Sequence, residues 1–250
     1  CIRDSFRLQP DPIYRLFCDR LYDFAVFDGM GGAAYGEIAS EIAVQTMKKY
    51  ERRLKNAEGM RAVDQIVTEF VTEANNSICD MLREKNCLSG GTTFAMLYFI
   101  DGLAKLYYLG DSRIYMQDEE DLICLTRDHT LANQKLDAGI YTEAQAKKSA
   151  DQLRLTLYVG VDKNGLGLNA DSRPPVALQP GRKFLLCTDG LVDMCSEQEI
   201  QDILSQDYFN EAAVLVQTAV NYGGIDNVTC IVLEVIPIEE PAELESDPML

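Results

Sequence analysis

TTFAMLYFIDGLAKLYYLG (92–110) decides the fold. Two apolar runs flank Asp101-Gly102, and an Asp-Gly pair between strand-like runs marks a two-residue hairpin turn. TTFAMLYFI and LAKLYYLG therefore read as the arms of an antiparallel β-hairpin. On its amino-terminal side, Ala39, Ala43, Met47, Tyr50 and Leu54 recur at helical spacing, as do Val63, Val67, Phe70, Ala74, Ile78 and Met81. Two long amphipathic helices thus separate the hairpin from an earlier strand in FAVFDGMGG (24–32). On its carboxyl side, strands are expected at 112–117, 122–125, 166–172, 183–187 and 227–236, with helices at 196–204 and 210–222. Residues 131–150 are polar and weakly periodic, which predicts short helices in a mobile surface flap. The order of one strand, two helices, many strands, two helices and a strand lacks βαβ alternation. It predicts an α+β chain with antiparallel sheets and helices packed outside them.

The chain has 250 residues, enough for one large domain with its own core. Residues 1–236 are expected to form that domain and 237–250 an acidic, proline-containing tail. With 40 acidic against 23 basic residues the net charge is −17, and no basic block is long enough to follow a phosphate backbone. That argues against nucleic acid as a partner. Eight cysteines without a C-x-x-C pair read as reduced core residues of a cytoplasmic protein. No apolar run approaches the ~20 residues that cross a bilayer, and no charged-then-apolar leader opens the chain. A soluble monomer without membrane contact is expected.

Three carboxylates border apolar runs beside glycine or asparagine: Asp28 in FAVFDGMGG (24–32), Asp189 in FLLCTDG (184–190) and Asp226 in GGIDNVTCIVLEV (223–235). Each run reads as a buried strand that delivers a charge to a sheet edge. Any one of them reads equally well as a turn or cap residue. Burying three together is costly unless cations compensate them. Oxygen-only ligands favour Mg²⁺ or Mn²⁺, and a single histidine, His129, cannot build a zinc site. Gly29-Met30-Gly31-Gly32-Ala33-Ala34 also spells a dinucleotide fingerprint. The second strand and its acidic ribose ligand, expected about twenty residues on, are replaced by helical periodicity, which argues against that reading.

FAVFDGMGGAAYGE, GGTTFAMLYF, YYLGDSRIYM, LTRDHTL, FLLCTDGLVD and GGIDNVTCIVLEV, in this order, resemble the metal-dependent protein phosphatases of type 2C, the bacterial branch most closely. The likeness runs from about Asp4 to Val235. It implies a β-sandwich of two antiparallel sheets flanked by helices on both sides, a four-layer αββα arrangement with a binuclear metal centre at one end. Carried over by position, Asp28 is the bridging carboxylate, Gly29 offers its carbonyl to one ion, and Asp189 and Asp226 hold the other. A third, weaker ion is implied near Asp111, Asp189 and Asp193, although Asp111 also reads as a turn residue and Asp193 as a helix cap. The implied activity is hydrolysis of phosphoserine and phosphothreonine in proteins, in bacterial signalling opposite a serine/threonine kinase.

The chain departs from that pattern in places. Its opening, Cys1-Ile2-Arg3-Asp4-Ser5-Phe6, places either Asp4 at the end of the family's acidic run or Arg3 at its phosphate arginine. Met30 stands where many eukaryotic members carry a proposed acid histidine. His129 reads as structural, and 149–153 lacks the His and Asn of relatives, so flap contacts to substrate are altered. Two other readings stay open: a non-catalytic phosphatase-like binding module, and a two-metal nuclease, which the negative charge opposes.

Overall fold

The computed structural model describes residues 4–7, 22–31, 35–87, 89–118, 121–161, 167–206, 208 and 210–236. Arg3, Gly32, the start of the expected strand at 166 and the expected tail lie outside them. The predicted hairpin forms as β4 (Phe94–Ile100) and β5 (Leu103–Leu109), and its turn residues Asp101 and Gly102 take φ of 50° and 72°. Around it β1 (Asp4–Arg7), β2 (Tyr22–Met30), β3 (Gly91–Thr92), β8 (Asp171–Ser172) and β9 (Val176–Ala177) complete a seven-stranded sheet, ordered β1-β2-β4-β5-β8 with β3 on β2 and β9 on β5. A second sheet runs β11-β10-β6-β7, from β6 (Arg113–Asp118), β7 (Asp121–Cys124), β10 (Lys183–Cys187) and β11 (Cys230–Glu234). The neighbours within both sheets pair antiparallel.

Period-two alternation sorts the strands' apolar residues into layers. On β2, Phe24 and Val26 join the core between the sheets, whereas Ala25 and Phe27 face α1 (Tyr35–Lys55) and α2 (Met60–Glu84). Phe184 and Leu186 of β10 point into the same interior, and Leu185 and Cys187 pack on α5 (Asp189–Val192), α6 (Glu197–Ser205) and α7 (Glu211–Asn221). The result is the expected helix–sheet–sheet–helix stack. Each fully buried large side chain in it contributes roughly 1.5–3 kcal/mol, and Phe27, Phe70 and Phe94 cluster with centroids 5.2–6.3 Å apart.

Boundaries shift where side chains compete for the backbone. The last strand starts at Cys230, because Asn227 N–H bonds the Asp226 carboxylate at 2.8 Å and Thr229 N–H bonds Thr188 Oγ1 at 3.1 Å. Asp226 therefore sits in a loop, and Asp189 opens the short helix α5; only Asp28 lies on a strand. Of the strand expected at 166–172, the described part is Asp171–Ser172. Ser196 caps α6 through a reciprocal capping box with Glu199. The expected flap folds as α3 (Leu131–Asp137), α4 (Glu143–Ala146) and a 3₁₀ turn (Ala150–Leu153). Not every cysteine is a core residue, since Cys124 is exposed while Cys79, Cys187 and Cys195 are buried. Among the described residues no helix is long and apolar enough to cross a membrane.

Candidate metal centre

One end of the sandwich collects the candidate residues because the chain crosses between sheets there. β5 of the first sheet ends at Leu109, Gly110-Asp111-Ser112 makes the crossing, and β6 of the second begins at Arg113. Cys187 pairs with both Arg113 and Cys230, so the end of β10 and the start of β11 lie at this same edge. Asp28, on β2, is tied to the crossing by hydroxyls: its N–H donates to Thr93 Oγ1 at 2.9 Å, and that oxygen lies 2.6 Å from Ser112 Oγ. Gly29 follows it, paired with Thr92, and Asp4 of β1 stands opposite Asp28.

The segments that carry Asp189 and Asp226 are brought together by backbone contact. A Cβ on Gly190 would lie 2.1 Å from the Asn227 carbonyl oxygen, so only glycine lets the residue after Asp189 rest on the residue after Asp226. Thr188 N–H donates to Thr229 O at 3.0 Å and fixes the two segments side by side. Asp111, Asp189 and Asp193 line one cleft of about 310 Å³, together with Asp128, Arg113 and Glu197. Asp28 and Asp226 are not among the residues that line it; Asp226 is exposed, and its charge acts on Asp193.

The electrostatics record the crowding. Burial, then the Asp189 and Asp128 charges, push the Asp111 carboxyl up to about 8. Burial and Asp189 likewise raise Asp193. Arg113 offsets part of this, although burial opposes its charge. It donates from Nε to Asp128 Oδ1 at 3.0 Å and from Nη2 to Asp128 Oδ2 at 2.8 Å, and those bonds hold its pKa above the usual range. Sequence reasoning did not single out this Arg113–Asp128 pair or Glu197. The signal was available, since Arg113 is two residues from Asp111 and Asp128 lies in LTRDHTL.

The donor set suits a hard divalent cation: all carboxylates or a backbone carbonyl, with strong mutual repulsion to relieve. As they stand, among the described residues no three Asp, Glu, His or Cys side chains are grouped to hold an ion. His129 is committed elsewhere. Its Nδ1 accepts from Gly110 N–H at 3.1 Å, so Nε2 carries the proton toward Asp171 at 3.2 Å, and the ring stacks on Tyr108.

A raised carboxyl has a defined consequence for stability. Asp111 binds its proton more tightly in the folded than in the unfolded chain, so its contribution is fully present below about pH 4 and is lost as pH rises through about 8. In EDTA the melting temperature is therefore expected to fall between about pH 5 and 8.5, and Asp111→Asn to flatten that fall by about 5 °C. Calorimetry of both proteins across this range checks it, and identical slopes would refute the assignment.

A helix-covered sandwich of two antiparallel sheets with a carboxylate-bearing cleft at the edge they share is the architecture of the metal-dependent phosphatases. The family model described as protein phosphatase 2C matches residues 17–219, and the chain belongs to that family. It is 32% identical over 220 residues to the protein phosphatase PhpP of Streptococcus pneumoniae, covering 86% of each. The S. agalactiae serine/threonine phosphatase has the same fold, with a TM-score of 0.81 at 24% identity over 92% of both chains. The catalytic domain of the serine/threonine phosphatase PstP, in complex with two manganese ions, superimposes with a TM-score of 0.73 at 26% identity, over 94% of this chain and 92% of that one.

Proposed function

We propose that this chain hydrolyses phosphoserine and phosphothreonine in proteins, using two Mn²⁺ or Mg²⁺ ions held by Asp28, the Gly29 carbonyl, Asp189 and Asp226. Asp111, Asp189 and Asp193 would hold a third. The observation that carries the reading is the packing of Gly190 on Asn227, which supports Asp189 and Asp226 as a pair beside the cleft of Asp111 and Asp193. Such ions, when bound, lower the pKa of water and polarise phosphoryl oxygens, which allows in-line attack without a covalent enzyme intermediate.

The protein's own part is to hold charge in place. Asp28 is positioned by its bonds to Thr93 and, through it, Ser112. Arg113 and Asp128 set the wall behind Asp111, and Tyr115 accepts from Arg113 Nη1 at 2.9 Å. Neither Met30 nor the engaged His129 supplies an acid, so solvent protonates the departing serine or threonine oxygen. PhpP and PstP are bacterial serine/threonine or protein phosphatases, which supports a role opposite a serine/threonine kinase in a bacterial cytoplasm.

Hydrolysis of p-nitrophenyl phosphate and of a phosphothreonine peptide, dependent on manganese and lost in Asp28→Asn, is the expected result. Absence of turnover with either metal would favour the binding module. Cleavage of single-stranded DNA without peptide turnover would favour the nuclease.

A further inference from the structure

Leu153 ends the 3₁₀ turn of the flap and is 80% exposed. It lines the carboxylate cleft beside Gln152, Lys147 and Val192. A leucine in water on a loose loop carries little meaning. This one stands on a braced turn. Asp151, two residues before it, accepts from Lys135 Nζ at 2.5 Å and from Tyr141 OH at 2.9 Å. Ser149 Oγ caps the turn by accepting from Asp151 N–H at 3.1 Å. Immediately after it, Arg154 O accepts from Leu131 N–H at 2.8 Å, and Leu155 bridges to Thr130. The turn is thus fastened to α3 from both sides, and the side chain between the fastenings faces the cleft. A contact surface ordered in advance loses little entropy on binding.

We propose that Leu153, together with Val192, is a specificity-determining contact for the residue flanking the phosphorylated serine or threonine, and that it favours an apolar neighbour. The inference rests on the phosphatase reading and narrows its substrate class. Apart from Leu153 and Val192, the cleft wall consists of charged and polar side chains and Cys124. Leu153 and Val192 are therefore the places where an aliphatic side chain gains by leaving water. Burying one to two methylene equivalents there corresponds to roughly tenfold discrimination.

The test compares two phosphothreonine peptides that differ only in carrying leucine or serine on both sides of the phosphoresidue. With Mn²⁺ the wild-type protein is expected to show about a tenfold higher kcat/KM for the leucine peptide, with the difference in KM. Leu153→Ser should bring the ratio near one, and Leu153→Met should restore it. Ile140→Ser is the control, since Ile140 is 64% exposed on the same flap but outside the cleft wall, and it should keep the wild-type ratio. A ratio near one in the wild type, or one unchanged in Leu153→Ser, overturns the proposal. Wild-type turnover of p-nitrophenyl phosphate separates the two levels. If it proceeds with a flat peptide ratio, this inference fails alone; if it is absent with manganese, the phosphatase reading fails beneath it.

Discussion

Asp189→Asn is expected to lower manganese-dependent kcat/KM for p-nitrophenyl phosphate on the order of 10³-fold while leaving the fold intact or firmer. Asp189 is the carboxylate that the others share: its charge raises both Asp111 and Asp193. Its Oδ1 is buried within the protein, where a charge acts with little screening. Asparagine keeps the shape and removes the charge, so attraction for a divalent ion falls at once at the proposed second and third positions. Repulsion on Asp111 and Asp193 falls too. Titration calorimetry should show weakened Mn²⁺ binding, and thermal melting in EDTA should show an unchanged or higher midpoint. Wild-type turnover in this variant would remove Asp189 from the centre.

Gly190→Ala should act on the same pair through the backbone. The added methyl would stand 2.1 Å from Asn227 O and 3.0 Å from the Asn227 carbonyl carbon. Both atoms are main chain, so no rotamer relieves the clash, and Thr188 and Thr229 clamp the segments that would have to part. The expected cost is about 2–4 kcal/mol, with Mn²⁺ affinity lowered because Asp189 and Asp226 are pushed apart. Gly167→Ala is the comparison, since a methyl there meets nothing within 4 Å and should change stability by under about 0.5 kcal/mol. Urea unfolding midpoints of the three proteins decide the matter; equal midpoints for the two variants would mean that the Gly190 contact yields freely.

Local chemistry made much of the fold legible. Asp101-Gly102 announced the hairpin, and the repeats from Ala39 and Val63 announced α1 and α2. The division of strands between two sheets was not written there, because runs such as FLLC and FAMLYFI are apolar on both faces and give no alternation to assign an inner side. Short elements also escaped: α5 spans four residues and β9 two, too few for any period to show. At the candidate centre, Asp28, Asp189 and Asp226 were conspicuous for their flanking apolar runs and glycines. What sets the segment of Asp189 against that of Asp226 is a contact between Gly190 and Asn227 across 37 positions of chain, which only the tertiary fold creates. Arg113 and Asp128 lay in view, beside Asp111 and within LTRDHTL, but their pairing across 15 positions of chain is likewise a product of the tertiary fold.

Asp28 belongs to one sheet, whereas Asp189 and Asp226 extend from the other. The aromatic filling between the sheets, with Phe99 lying edge-on at 6.0 Å from Phe24 and 5.9 Å from Phe184, thereby becomes the spacer between the two halves of the proposed metal centre. Exchanges at those remote interior positions would then shift the spacing of the proposed ligands without touching one of them, which places a lever on the proposed centre deep inside the protein.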